Sequence, residues 1–213
     1  MQLRIKTVLK IAERRAWVLP KFQREFSWDA KKIVNLFDSI DRGCPIGEIV
    51  LLRYHKDFHF EARGIDGDEK LKRKLPEHCI IGGQQRFTSL YKVIKDLSGL
   101  NVGLDESEPQ YISIPEMGMN YDKKTDYAFF LDLSLEFGKT RIIEQKRPIP
   151  SHISFDEQAK MKRVPLEFVF CHDETSEAFL TKYGFSKNDI KAVKAFKKKV
   201  EDYEITIKRC VAH

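Results

Sequence analysis

The chain lacks both paired cysteines and long apolar runs. Its four cysteines are widely scattered and include no C-x-x-C pair; they are Cys44, Cys79, Cys171 and Cys210. This spacing excludes a zinc ribbon and a disulfide framework, and it favours a reducing compartment. No apolar stretch reaches the roughly 18 residues of a membrane-spanning helix, and the basic N-terminus has no uninterrupted apolar core. We therefore expect a cytoplasmic protein with no membrane partner and no conventional secretion signal.

A strong charge of one sign is also lacking. Lys and Arg number 38 against 32 Asp and Glu, which gives a formal net charge of +6 and a pI near 9.0. A mild positive excess favours polyanionic partners such as nucleic acid without requiring them. The hydrophobic content of 42% is enough for a core that needs no disulfides.

The apolar spacing predicts an α+β fold in which a small mixed sheet is flanked by helices. Helical spacing begins at Thr7, near Asp29 and after Gly83. A fourth helix is predicted to open with a capping box of Ser186 and Asp189. Strands are predicted at the segments PIGEIVLLRY, II (80–81), YISIP, YAFFLDLS, VPLEFVF and YEITIKRC.

The segment IIGGQQRFTSL, residues 80–90, places polar side chains at the turn from a strand into a helix. A glycine turn at this point leaves backbone N–H groups without partners, and the helix dipole adds partial positive charge. Arg86 can offer a two-pronged contact to phosphate, while Gln84 and Gln85 can orient a sugar, a base or a phosphate. On its own the segment is compatible with an anion site or with an ordinary turn.

The segment PKFQREFSW, residues 20–28, carries a second Gln-Arg pair ahead of a predicted helix. Its aromatic rings can stack on bases while the guanidinium of Arg24 contacts phosphate. The alternative is structural, with Phe26 and Trp28 attaching the helix to the core and Arg24 in an ion pair. The segment alone leaves both interpretations open.

These two motifs, in this order and separated by PIGEIVL, closely resemble the N-terminal domain of GmrSD-type restriction endonucleases, a family with ParB/sulfiredoxin-like relatives. The family hallmark is Asp-Gly-Gln-Gln-Arg followed by Leu/Phe-Thr-x-Leu in a helix. The resemblance is strong over residues 5–97 and looser at YEITIKRC. It implies a ParB/sulfiredoxin-like motif-bearing core at residues 1–100 and an α+β extension of the same domain at residues 101–213.

The resemblance also implies a function. Such domains bind and hydrolyse nucleotides in anti-phage proteins that recognise modified DNA, and a separate C-terminal HNH-type nuclease domain usually cuts the DNA. Expected cofactors are a nucleoside triphosphate and Mg²⁺, and expected partners are modified DNA and a nuclease domain or subunit. The residues that match the two motifs, and that form the expected nucleotide site, are Gln23, Arg24, Gly83, Gln84, Gln85 and Arg86.

The five matching residues other than Gly83 have expected roles in this interpretation. Arg86 contacts phosphate. Gln84 and Gln85 orient the nucleotide or a catalytic water. Gln23 and Arg24 close the same pocket from the first motif.

The chain departs from the family pattern in two ways. Gly82 stands where the hallmark has Asp, which removes a carboxylate that could hold a metal, a water or the neighbouring arginine. We therefore expect nucleotide binding with impaired hydrolysis. The sequence also has no His-Asn-His-like constellation, so we expect DNA cleavage to come from elsewhere, the chain being a fragment, a split-gene subunit or a degenerate remnant.

Two other functions are compatible with the sequence. The chain either binds DNA directly, with nucleotide irrelevant, or serves as an inactive scaffold that recruits a nuclease subunit. Direct binding would use Phe22 and Trp28 together with Lys194 and Lys198. The two lysines belong to a lysine-rich helix face, and the alternative is that this face is ordinary solvated surface.

No metal site is predicted. His55 and His59 have the spacing of a helical ligand pair, but they follow a strand and have no third ligand.

Overall fold

The computed structural model describes residues 1–55, 61–65, 75–95, 127–135, 139, 141–146, 159–171 and 175–210. Within these ranges a central six-stranded sheet contains, from edge to edge, β1 (Gln2–Arg4), β9 (Glu204–Cys210), β3 (Glu48–Arg53), β5 (His78–Gly82), β2 (Trp17–Pro20) and β4 (Ala62–Arg63). β9 is parallel to β3 and β2 is parallel to β5, while the other neighbours are antiparallel. The sheet is therefore mixed, and the predicted α+β class is confirmed.

A second sheet and six helical segments complete the described fold. The second sheet has three strands, in the order β7 (Ile142–Lys146), β6 (Tyr127–Asp132) and β8 (Arg163–Pro165). The helices are α1 (Ile5–Glu13), α2 (Ala30–Asp41), α3 (Gln84–Lys95), α4 (Leu166–Cys171), α5 (Thr175–Lys182) and α6 (Lys187–Asp202). None of the described helices is long and apolar enough to cross a membrane.

The helices cover one face of the central sheet. Along β3, Ile49 is fully buried and Val50 is only half-buried, because alternate side chains point to opposite faces. On the covered side, Phe170 of α4 contacts Phe37 of α2 and Phe196 of α6, with ring centroids 6.2 Å apart in both pairs. These tilted ring contacts join three helices into one core.

Several sequence predictions are confirmed at their boundaries. Asp29 caps α2 by accepting a hydrogen bond from the Lys32 amide at 2.9 Å, and Gly43 follows the helix with φ of +72°. Ser186 and Asp189 form the predicted capping box of α6. The strand YISIP and the domain boundary at residue 100 lie outside the described residues.

The predicted start of the first helix is wrong. α1 begins at Ile5 rather than after Thr7, and Arg4 occupies the cap position without a side-chain hydrogen bond. The Ile5 amide instead donates to the Tyr203 carbonyl at 2.9 Å. Because Tyr203, the residue between α6 and β9, supplies this partner from the far end of the chain, no local capping signal was needed.

The strand predicted at VPLEFVF is also wrong over most of its length. Only Arg163–Pro165 is extended, and the chain then turns into α4. Leu166, Val169 and Phe170 recur at helical spacing and are all buried. The aromatic and branched residues that favour a strand therefore serve here as the buried side of a short helix.

Candidate functional site

The site begins at an irregularity where β5 ends. Pairing with β3 passes from Leu51–Ile80 to Val50–Gly82, so that Ile81 is an extra residue on β5. Such bulges re-aim the chain and are frequent beside binding sites. Here the bulge leaves the Ile81 side chain partly exposed and turns the strand toward α3.

Gly83 allows a very close approach between this turn and β3. Its φ is +77°, and an added Cβ atom would lie 2.5 Å from the Glu48 carbonyl oxygen. Only glycine meets both conditions without a shift of the backbone. The start of α3, with its unpaired N–H groups, is thereby held against the first residue of β3.

Gln84 and Gln85 attach α3 to residues 21–29, which we call the motif loop. They are only 9% and 7% exposed. Gln84 Nε2 donates to the Arg24 carbonyl at 2.9 Å, and Gln85 Nε2 donates to the Glu25 carbonyl at 2.9 Å. Gln85 Oε1 also accepts from the Ser27 amide at 2.7 Å. The two glutamines thus hold the motif loop, which carries the first motif, against the N-terminus of α3, which carries the second motif.

Arg86 is half-buried and directed toward the start of β3. Its Nη1 donates to the Glu48 carbonyl at 3.0 Å, and its guanidinium occupies the space beside Gly47, where a Cβ atom would be 2.8 Å from Nη2. Burial lowers the pKa of Arg86, while Glu48 and Tyr203 act in the opposite direction. An arginine stays charged despite such a shift, so the site retains a partly desolvated cation.

The motif loop contributes a second cation and an unsatisfied acceptor. The Arg24 side chain is exposed, and its carbonyl accepts from Arg63 Nη2 at 3.3 Å as well as from Gln84. Gln23 Oε1 is buried and has no hydrogen-bond partner within the described part of the chain. A buried amide oxygen of this kind is costly unless a donor reaches it.

Residues of both motifs line one open pocket with a volume of about 390 Å³. This is within the usual range for small-molecule sites. The described lining contains two arginines and no carboxylate; its residues are Gln23, Arg24, Trp28, Ile81, Gly82, Gly83, Gln84, Gln85 and Arg86. All six residues predicted for the nucleotide site are therefore brought together, although their chemical roles stay predictions.

Of the residues proposed for direct DNA binding, Trp28 lines this pocket, whereas Phe22, Lys194 and Lys198 do not. Phe22 is 69% exposed on the motif loop. Lys194 and Lys198 lie on α6, where Lys194 forms an ion pair with Glu177. Lys198 contributes to a lowered pKa of Asp202, for which the hydrogen bond from Lys6 is the main cause. Much of the lysine-rich face is thus balanced by nearby carboxylates.

The described residues contain no group of three or more His, Cys, Asp and Glu side chains that could hold a metal ion. His55 is exposed at the end of β3, and His59 lies outside the described residues.

Sequence reasoning missed the residues that support the site from other strands. Glu48 offers a backbone carbonyl, Val50 packs beside Gly82, and Arg63 of β4 holds the motif loop through the Gln23 and Arg24 carbonyls. A local pattern carries no signal for such contacts, because they depend on which strands become neighbours.

Comparison with known families gives a match over nearly the whole chain. The sequence model of the family described as "GmrSD restriction endonuclease, N-terminal domain" matches residues 5–210. A search of curated proteins finds no match.

Proposed function

The chain belongs to the family of GmrSD restriction endonuclease N-terminal domains, and on this basis we propose that it is the nucleotide-binding, DNA-modification-sensing domain of a modification-dependent restriction system. Its ligand in the pocket is a nucleoside triphosphate. Its macromolecular partners are modified DNA and a nuclease domain or subunit that cuts the DNA.

One observation carries the nucleotide proposal: two Gln-Arg pairs and the N-terminus of α3 surround one pocket with no carboxylate in its described lining. The free N–H groups and the helix dipole favour an anion at this point. Arg24 and Arg86 add two guanidinium groups, whose forked geometry suits phosphate oxygens. A phosphate chain therefore has complementary charge on the helix side and on the motif-loop side.

The remaining lining residues suit the nucleoside. Trp28 is half-buried and offers a ring for stacking, which contributes about 1–3 kcal/mol per base at nucleic-acid sites. Gln23 Oε1 is a buried acceptor in need of a donor, and an exocyclic amino group of a base could supply one. Gln84 and Gln85 orient the ligand indirectly, because their amide groups already hold the motif loop.

The site fits a phosphate better than it fits a metal ion. Mg²⁺ binds through one or two carboxylates together with phosphates and waters, and the described lining has no carboxylate. Any Mg²⁺ would therefore depend on the nucleotide phosphates for its anionic ligands. We accordingly expect binding to survive removal of Mg²⁺ with reduced affinity.

Impaired hydrolysis follows from Gly82 and from what occupies the space next to it. An added Cβ atom at residue 82 would lie 2.9 Å from Cγ2 and 3.0 Å from Cβ of Val50. A carboxylate cannot simply be restored there, because Val50 must move or become smaller. The appropriate variant is therefore Gly82→Asp combined with Val50→Ala.

The experiment is calorimetric titration of the chain with each ribonucleoside triphosphate, with and without Mg²⁺, followed by an assay of phosphate release. We expect binding by the unchanged chain, loss of at least tenfold in affinity for Arg86→Ala, and phosphate release only by the Gly82→Asp/Val50→Ala variant. Arg4→Ala is a matched control, since it removes an exposed arginine from β1 at the edge of the sheet.

The result that would refute the nucleotide proposal is absence of binding by the folded, unchanged chain. Unchanged affinity in a folded Arg86→Ala variant would remove Arg86 from the site. Binding of DNA without any nucleotide would support the direct DNA-binding function, and binding of neither would support a scaffold.

A further inference from the structure

A group of basic residues lies at the end of the central sheet that is opposite to the pocket. The pocket adjoins Gly82, the last residue of β5, whereas His78 is the first residue of that strand and is paired with Arg53, the last residue of β3. Four residue steps of about 3.3 Å separate the two ends by roughly 13 Å. The basic residues therefore form a surface that is separate from the nucleotide site.

Two arginines on neighbouring strands define this surface. Arg209 lies on β9, which runs parallel to β3, and is paired with Leu51, two residues before Arg53. Both arginines are exposed, and within the described part of the chain neither forms an ion pair. They are close enough to His78 to lower its pKa, although burial is the larger cause and Glu77 acts in the opposite direction.

The end of α1 brings a third arginine to the same place. The Ala16 carbonyl accepts from the amides of Glu77 at 2.8 Å and His78 at 3.1 Å. Arg14, two residues earlier in the chain, is exposed at the C-terminal cap of α1. We call Arg14, Arg53, His78 and Arg209 the sheet-end cluster.

We propose that the sheet-end cluster binds the phosphate backbone of duplex DNA. This rests on the DNA partner of the proposed function. Adjacent strands are about 4.8 Å apart, so β5, β3 and β9 spread their basic side chains over roughly 10 Å. A row of separated, unpaired guanidinium groups matches the repeated charges of a polyanion better than it matches a single small anion.

The sheet-end cluster also differs from the lysine-rich face of α6 in how far its positive charges are balanced by carboxylates. Within the described part of the chain, Arg53 and Arg209 form no ion pair, and Glu77 offsets only part of the positive charge around His78. Repulsion among such cations lowers the stability of the fold, and clusters of this kind are typical of surfaces that attract a polyanion. The lysines of α6 are the contrasting case, because Lys194 and Lys199 have carboxylate partners in Glu177 and Asp41. The net positive field available to DNA is therefore stronger at the sheet end.

The test measures DNA affinity by fluorescence anisotropy over a series of salt concentrations. The variant is Arg53→Gln with Arg209→Gln, and the comparison variant is Lys194→Gln with Lys198→Gln, which removes the same two charges from α6. Log affinity falls with log salt by about 0.9 per phosphate contact, so each lost contact weakens binding about eightfold near 0.1 M salt. We expect a loss of roughly fiftyfold for the arginine pair and a much smaller loss for the lysine pair.

Two further measurements test whether the arginine variant is folded and whether positive charge is what it lost. Nucleotide affinity of the arginine variant should equal that of the unchanged chain, which shows that it is folded and that the pocket is independent. Arg53→Lys with Arg209→Lys should restore the salt dependence. Equal losses in the two glutamine variants, a larger loss from α6, or a preference for duplex RNA would each overturn the proposal.

Failure of this proposal can be distinguished from failure of the proposed function. If the unchanged chain binds DNA and the arginine variant binds equally well, only the sheet-end assignment is wrong. If the unchanged chain binds neither modified nor unmodified duplex DNA, the DNA partner in the proposed function is wrong. Both the sheet-end proposal and that part of the proposed function then fail.

Discussion

Among the residues of the candidate site, Gly83 has the strictest conformational and steric requirement for glycine. We predict that Gly83→Ala lowers the free energy of unfolding by about 2–4 kcal/mol, because it combines a left-handed φ with a collision against the Glu48 carbonyl. Gly43→Ala is the matched control, since Gly43 has a similar φ of +72° and no atom within 4 Å of the added Cβ. It should cost only about 1–2 kcal/mol. Equal losses in urea unfolding would show that the Glu48 contact is unimportant.

His78 makes stability depend on pH in a defined direction. Burial, followed by the charge of Arg209, lowers its pKa below the usual 6.5. As pH falls through 6.5 the unfolded chain takes up the proton first, so folding stability is fully present above this pH and is lost as pH falls toward the lower folded pKa. Urea unfolding on both sides of 6.5 should show this loss, and His78→Gln should reduce it. A pH dependence that is the same in the variant would contradict the prediction.

Within the sheet-end cluster, the pKa of His78 should also respond to the binding of DNA. Burial and, after it, the charges of Arg209 and Arg53 lower the pKa of His78, so a bound phosphate that screens the two arginines should raise that pKa. An NMR titration of the histidine ring with and without DNA would report this shift directly.

At the scale of structural elements, the contact between α3 and the motif loop decides whether the pocket exists. Gln85 makes two hydrogen bonds to this loop and Gln84 makes one. We predict that Gln85→Ala costs about 2 kcal/mol and Gln84→Ala about 1 kcal/mol, at roughly 1 kcal/mol per bond. Amide hydrogen exchange at Ser27 should accelerate more in Gln85→Ala, because that variant removes the acceptor of the Ser27 amide. The reverse order would contradict the proposed attachment.

The start of β3 contacts the site through a different set of neighbours. Gly47 and Glu48 adjoin the Arg86 guanidinium, Glu48 also adjoins Gly83, and Val50 adjoins Gly82. A displacement of β3 would therefore change the pocket even if every motif residue stayed intact. For this reason the support of the site comes as much from its backbone neighbours as from the motif side chains.

At the scale of the whole molecule, a buried ion pair connects α2 to the second sheet. Asp41 at the end of α2 is 2% exposed and binds Arg141, which precedes β7, through contacts of 2.7–2.9 Å. Lys199 of α6 donates to the Asp41 carbonyl and lies 3.5 Å from its carboxylate. Removal of one partner from such a pair leaves a charge buried without compensation.

We predict that Arg141→Met lowers the free energy of unfolding by about 3–5 kcal/mol. Adding Asp41→Asn should recover much of this loss, because the uncompensated charge is then gone. Arg163→Met is the comparison, since its partner Asp132 keeps two hydrogen bonds from Ser134 and the loss should be smaller. Urea unfolding of the three variants and the unchanged chain decides the order. No recovery in the double variant would show that packing of Arg141, rather than charge, is what matters.

The two proposed functional surfaces lie at opposite ends of the central sheet. The pocket end combines a bulge, a glycine turn and a helix start, while the sheet-end cluster combines the starts and ends of three strands. Because β3 and β5 run through both ends, a shift of register at the bulge would reach the cluster as well.

Local patterns in the sequence determined much of this protein. The family motifs, the caps of α2 and α6, and the strand–turn–helix around Gly83 follow from residue types and spacing that act within a few residues. The α+β class and the two Gln-Arg pairs at helix entrances were predictable for the same reason.

Only the tertiary structure decided the rest, because the remaining contacts join residues that are far apart in the chain. β9 inserts between β1 and β3, and Tyr203, the residue before β9, supplies the partner that starts α1 at Ile5. Burial against α2 and α6 makes a helix of Leu166–Cys171, which local propensity assigns to a strand. The fit of Val50 beside Gly82 likewise depends on which strand lies next to β5. Such long-range neighbours override local preference because burial of apolar side chains is worth more than the propensity difference.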